Sequence, residues 1–170
     1  MFQPLKFSYA LLFFTLACYP ALSAALPTDS QQTMHIIADS STFNYKTGID
    51  VYEGNVKIQQ GTTRLIADRL VTQKNNKHKI QEAIAYGINK PAEYYTQPKE
   101  NDPILHAKAK IIKFYPIKSS ATLLTQVVVT QGDNSFHGSI LIYDMKNQIV
   151  TAPASKTGPA TIIIEPQKLS

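Results

Sequence analysis

From Met34 onward the apolar residues recur at every second position over short runs, and Gly, Asn and Pro cut the runs. Side chains alternate between the two faces of an extended strand, so a period of two builds half-buried strands. A helix would need apolar residues at i, i+3, i+4 and i+7, and no window of 12 residues carries that stripe. The pattern therefore predicts an all-β chain. The expected strands are Met34–Ala38, Thr42–Tyr45, Ile49–Tyr52, Asn55–Gln60, Thr63–Gln73, Lys79–Tyr86, Ala92–Thr96, Leu105–Phe114, Ala121–Thr130, Ser135–Asp144, Gln148–Ala152 and Ala160–Ile164.

The punctuation is chemically legible. Lys46-Thr47-Gly48, Glu53-Gly54-Asn55, Gln60-Gly61-Thr62, Gln131-Gly132-Asp133-Asn134 and Lys146-Asn147 each place Gly or Asn where a tight reversal needs positive φ. Reversals this frequent imply a meander. Lys74-Asn75-Asn76-Lys77-His78-Lys79 reads as a solvated hairpin tip, and the proline-flanked stretch Gln97–Pro103 as an exposed loop.

The first residues have a different logic. One charge at Lys6, an apolar run from Tyr9 to Cys18 and the small residues Ala21 to Ala25 form a secretory leader. The apolar run is only about ten residues, half the roughly 20 that a membrane-spanning helix requires. Residues 1–24 are expected to be a signal peptide cleaved between 23 and 25, followed by one domain over 25–165 and a frayed tail over 166–170. Lipoprotein processing at Cys18 is the alternative, opposed by Thr15 where a lipobox has an aliphatic residue. Cys18 is the only cysteine, so the exported domain has no disulfide and depends on an ordinary apolar core.

The net charge of +5 is spread as single lysines, without the interleaved aromatics of a nucleic-acid surface, so no nucleic-acid partner is expected. Mild basicity suits an acidic small ligand or an anionic glycolipid. No spacing of His35, His78, His106 and His137 forms a metal motif, and neither a nucleophile with its base nor a carboxylate pair is recognisable. Asp39 and Asp68 are expected to face solvent. The chain reads as a non-enzyme with no cofactor and no metal.

A faint repeat emerges when Ala38, Ala67, Ala107 and Gly138 are stacked with their flanking strands, at spacings of 29, 40 and 31 residues. Two-strand units of such length suggest a roll or solenoid in which each rung covers the next. The small side chains let facing sheets approach or leave room for a ligand. Segments such as Ile111-Ile112, Leu123-Leu124 and Val127-Val128-Val129 carry more aliphatic side chains than one buried face requires, which is consistent with an apolar interior. A roll open at both ends leaves unpaired edge strands, and these invite a second copy to add on.

Met34-His35-Ile36-Ile37-Ala38-Asp39, Tyr52-Glu53-Gly54-Asn55-Val56-Lys57-Ile58, Leu65-Ile66-Ala67-Asp68, Lys90-Pro91-Ala92 and Leu105-His106-Ala107 together resemble the LptA/OstA family over nearly the whole exported chain. The resemblance implies an open, twisted β-jelly-roll (OstA-like) of repeated antiparallel hairpin rungs in the periplasm. It implies a bridge that carries lipopolysaccharide from the inner to the outer membrane with the acyl chains shielded in an apolar groove. It further implies head-to-tail homo-oligomers between an inner-membrane-anchored LptC-like protein and the N-terminal domain of an outer-membrane LptD-like translocon. Carried over by position, the lipopolysaccharide-binding residues fall on Met34, Ile36, Tyr94, Ile112 and Phe114. Two departures stand out: Tyr94 replaces a frequent Phe, and Gln126 stands where a second Gly-Asn pair would be expected.

The principal rival is a structural or adhesive β-solenoid without lipid transfer. A carbohydrate-binding or hydrolytic domain is disfavoured by the absence of Trp. A membrane-anchored member of the same pathway would require retention of the N-terminal segment.

Overall fold

A computed structural model describes residues 29–147 and 149–166. The leader, Cys18 and the last four residues lie outside the described residues. Among the described residues twelve strands follow one another as β1 (His35–Ile37), β2 (Ser40–Asn44), β3 (Ile49–Gln60), β4 (Thr63–Lys74), β5 (Ile80–Tyr86), β6 (Ala92–Thr96), β7 (Leu105–Ala109), β8 (Ile111–Tyr115), β9 (Ser120–Gln131), β10 (Asn134–Asp144), β11 (Ile149–Thr151) and β12 (Thr161–Ile163). All pairings are antiparallel.

The long strands β3, β4, β9 and β10 each run through two leaves. One leaf pairs in the order β1, β3, β4, β6, β7, β9, β10, β12; the other follows β2, β3, β4, β5, β8, β9, β10, β11. Alternate residues from both leaves meet in one apolar seam, in which Val56, Leu70 and Val127 are sealed from solvent among Ala67, Ala85, Ala92, Ala109, Ile112, Leu123 and Leu141. Four of these ten are alanines, interleaved with the larger aliphatic side chains. The architecture is the expected open roll.

A bulge marks the corner between the leaves in β3 and in β9. Gly54 and Asn55 (φ +76° and +47°) together stand opposite Asp68, since Glu53 pairs Arg69 and Val56 pairs Ala67. Thr125 and Gln126 (φ +66° and +56°) stand likewise opposite Ser139. Glu53-Gly54-Asn55 is therefore not the reversal expected from its composition. Positive φ bends the strand without turning it back, and Ile49–Tyr52 and Asn55–Gln60 are one strand. The converse holds for the expected strand Leu105–Phe114, which breaks at Lys110: that residue's amide N–H reaches the Thr125 carbonyl at 2.9 Å across the corner. The Gln126 position thus keeps the Gly-Asn geometry with neither residue type.

These corners reveal the true internal period. β3 and β9 both span twelve residues and begin 71 positions apart, and the β3–β4 and β9–β10 registers agree pair for pair at that offset. β1 and β7 occupy equivalent places, as do β2 and β8: Ile36 pairs Ile58 as Ala107 pairs Val129, and Phe43 pairs Asp50 as Phe114 pairs Ala121. The corner hydrogen bond from Asp39 N–H to the Gly54 carbonyl is matched by that from Lys110 N–H to the Thr125 carbonyl. The counterpart of Ala38 is consequently Ala109, not Ala107, which sits one inward step away beside Tyr94. The fold is two six-strand units, β1 to β6 and β7 to β12.

Candidate functional site

Residues directly opposite one another on neighbouring strands share a face, so the registers define the lining of the roll. On one leaf the inward row runs Ile36, Ile58, Leu65, Tyr94, Ala107, Val129, Phe136, Ile162. On the other, one row runs Tyr52, Leu70, Ala85, Ile112, Leu123, Leu141, and the row nearer the mouth holds Phe43, Asp50, Thr72, Ala83, Phe114, Ala121, Tyr143, Val150. An almost unbroken apolar surface crosses every strand.

All five residues carried over from the family pattern belong to this inner surface, but they do not form one pocket. Met34 and Ile36 lie at the β1/β2 end, where they line a cavity of about 540 Å³ with Ile37, Ala38, Ser41, Phe43 and Tyr52. Tyr94 sits mid-row between Leu65 and Ala107. Ile112 is 6% exposed and belongs to the packed seam. Two residues along the same face, Phe114 is 39% exposed between Ala83 and Ala121, whose methyl groups leave its ring uncovered. A large apolar side chain that points inward and is still exposed marks an interior that is a groove rather than a filled core.

Phe43 was missed by sequence reasoning although its signal was present: it precedes Phe114 by the 71-residue period, and it is 46% exposed on the same inward row. Its ring meets Tyr52 edge-on, with centroids 5.8 Å apart. The groove is interrupted by two buried polar side chains, Asp50 and, directly opposite it, Thr72. Asp50, 3% exposed, accepts a 2.6 Å bond from the Lys74 ammonium at the mouth, and burial together with the Asp50 charge pushes the Tyr52 hydroxyl above its usual pKa. In the second unit the counterpart of Asp50 is Ala121.

The outer face carries the opposite chemistry. Glu93, Tyr95, His106 and Lys108 meet where β6 joins β7: the Tyr95 hydroxyl donates to Glu93, whose carboxylate also bonds His106 Nε2 at 2.9 Å and lies 3.6 Å from Lys108 Nζ. The Tyr95 and His106 rings stack at 4.0 Å. Donation to Glu93 pushes the Tyr95 hydroxyl up to about 12. His35 and His137 sit exposed on the same outer face of other strands, and among the described residues no group of His, Cys, Asp and Glu is arranged to hold a metal. Asp39 and Asp68 fasten corners: Asp39 accepts from the Asn55 amide at 2.8 Å and Asp68 from the Asn89 backbone N–H at 2.6 Å, which lowers the Asp68 pKa.

The sequence profile described as "LptA/(LptD N-terminal domain) LPS transport protein" matches residues 35–149. The chain belongs to this family. The lipopolysaccharide export system protein LptH of Pseudomonas aeruginosa is 30% identical over 91% of each chain. LptA of Escherichia coli K12 is 26% identical over 87% of this chain and 82% of its own. The solved structure of P. aeruginosa LptH, described as the LptA-homologous periplasmic component of the lipopolysaccharide transport device, superposes with a TM-score of 0.73. It covers 82% of this chain and 100% of its own, at 28% identity. The named relatives are lipopolysaccharide export system proteins, and the P. aeruginosa LptH structure has the roll described above.

Proposed function

We propose that this chain is a periplasmic bridge protein that carries lipopolysaccharide between the inner and outer membranes, with its acyl chains in the groove and its sugars in water. The observation that carries the reading is the inward apolar surface on which Phe114, Phe43 and Met34 remain exposed. Each methylene moved from water to such a surface contributes about 0.8 kcal/mol. A groove open along its length can hold several chains and still release them, which a closed pocket cannot do.

Met34, Ile36, Tyr94, Ile112 and Phe114 are assigned to the lipid, with Phe43 added. The leader over residues 1–24 is removed on export, between 23 and 25. Copies join head to tail, the first meeting a membrane-anchored LptC-like protein and the last the N-terminal domain of an LptD-like translocon. That one family profile spans both LptA and the LptD N-terminal domain supports this arrangement, because a shared fold presents the same edge to the last copy. The reading makes the protein a carrier rather than an enzyme.

Photo-crosslinkers at Ile36, Tyr94 and Phe114 test the reading in cells that make lipopolysaccharide, with Arg64 and Lys113 as outward-facing controls. The expected result is lipopolysaccharide adducts from the three inward sites alone. Adducts from none of them would favour the structural solenoid, and N-terminal sequencing of the exported protein checks the leader.

A further inference from the structure

The correspondence between the two units breaks in chemistry, though not in backbone, near the mouth of the groove. Asp50, Thr72 and Lys74 of the first unit stand where the second has Ala121, Tyr143 and Met145. Asp50 pairs Thr72 as Ala121 pairs Tyr143. The Lys74 N–H bonds the Gly48 carbonyl at 2.8 Å as the Met145 N–H bonds that of Ser119 at 2.9 Å. The same backbone carries both sets of side chains, so the fold does not demand the polar one.

The polar set is also costly to keep. Asp50 is 3% exposed, and its Oδ2 lies 2.6 Å from the Lys74 ammonium. Thr72 is 4% exposed, and its sealed Oγ1 has no hydrogen-bond partner among the described residues. A buried hydroxyl left unbonded forfeits its hydration, which only an incoming polar group restores. The Asp50 carboxylate, bonded to Lys74, keeps further lone pairs to offer.

We infer that Asp50 and Thr72 form a polar subsite within the groove, which takes a neutral hydroxyl borne by a bound acyl chain near its polar end. The inference rests on the groove reading and adds a chemical preference to it. A hydroxyl satisfies both partners at once, because it donates to the Asp50 carboxylate and accepts from the Thr72 O–H. An anion is repelled by Asp50, a cation meets the ammonium of Lys74, and an amide N–H has no lone pair to accept from Thr72.

The position suits the upper part of a chain. Thr72 lies two residues inward of Lys74, whose side chain is 30% exposed at the mouth, and the seam residue Leu70 lies two residues deeper. Phe43, opposite Asp50, and Tyr52, two residues further in, both line the cavity of about 540 Å³ at that end. A chain entering there passes the pair before it reaches the seam. Asp50 and Thr72 are enclosed, so the hydroxyl meets them as the exposed Phe43 ring and the Lys74 side chain shift aside.

Fatty acids that differ by one oxygen atom test the subsite. Tetradecanoate and 3-hydroxytetradecanoate, below their micellar concentrations, are titrated by calorimetry into the full chain, expressed with its leader, purified and freed of bound lipid. A purely apolar groove binds the hydroxylated probe more weakly, because the hydroxyl leaves water without a replacement partner. The subsite reverses that order, and 3-hydroxytetradecanoate is expected to bind about 3–10-fold more tightly. A hydroxyl at the far end, in 14-hydroxytetradecanoate, is expected to weaken binding. Thr72→Val keeps the side-chain shape without the hydroxyl, and Asp50→Ala/Lys74→Met places the second unit's residues in the first. Each is expected to restore the order of an apolar groove. Equal or weaker binding of 3-hydroxytetradecanoate by the unsubstituted protein, or a preference that survives in both variants, would overturn the subsite and leave the groove reading standing. A protein that binds lipopolysaccharide but neither fatty acid would also overturn the subsite, and one that binds none of them would overturn both.

Discussion

The two corners at Gly54-Asn55 and Thr125-Gln126 do the same geometric work with different residues. Both place two positive-φ residues opposite one, both bend a twelve-residue strand, and both accept a hydrogen bond from a residue that links two short neighbouring strands, Asp39 between β1 and β2 and Lys110 between β7 and β8. The first uses the residue types that tolerate left-handed backbone. The second holds a β-branched Thr there, at a cost of about 1–2 kcal/mol for an L-residue. Tertiary pairing on both sides of Thr125 maintains the bend against local preference. A left-handed corner is thus a property of the fold position, and Gly-Asn is only its least strained solution.

The largest effect tests whether the units are equivalent in the seam. Leu70→Ala and its counterpart Leu141→Ala are each expected to cost about 2–5 kcal/mol. Leu70 (1% exposed) should lie toward the top of that range and Leu141 (6%), near the short edge strand β11, toward the bottom. Urea denaturation of the two variants checks the order, and equal losses would mean that edge position does not matter to the seam.

Next are the corners themselves. Gly54→Thr copies the second corner into the first and is expected to destabilise by about 2 kcal/mol, because a Cβ there would lie 2.2 Å from Asp39 Oδ2 and 2.9 Å from its Cβ. The reciprocal Thr125→Gly is expected to stabilise by about 0.5–1 kcal/mol, the relieved strain exceeding the added freedom of the unfolded chain. Thermal melts of both proteins check the opposite signs.

The smallest effect concerns the β6–β7 pairing that joins the two units. The Tyr95 hydroxyl, then His106 and Lys108, hold the Glu93 carboxyl below its ordinary 4.5. That contribution is present above pH 4.5 and is lost as pH falls through the folded value. The Tyr95 contribution is present below pH 10 and is lost as pH rises through about 12. Glu93→Gln is expected to cost about 0.5 kcal/mol near neutrality and to flatten both arms of the stability profile, measured as melting temperature against pH.

Period-two patterning was sufficient to foresee an all-β chain, because the alternation of side chains on a strand depends on local backbone alone. Most strands, the hairpin tip at Lys74–Lys79 and the loop at Gln97–Pro103 were legible for the same reason. The family pattern placed five residues on the inner face. It could not separate Ile112, packed in the seam, from Phe114, uncovered two residues later on the same strand, because exposure depends on what the opposite leaf supplies. Local composition also could not distinguish a turn from a bend: Gly54-Asn55 reads like a reversal, and only β4 lying alongside on both sides of it keeps the strand going. The repeat was faint for a related reason. The first unit marks its corner with Gly-Asn and the second with Thr-Gln, so the eye falls on Ala107 where the sheet register selects Ala109. The sequence by itself determined the strands and their alternating faces. The tertiary structure decided the corners, the two-unit period and which strands lie at the edges of the sheet, since each depends on hydrogen bonds between residues far apart in the chain.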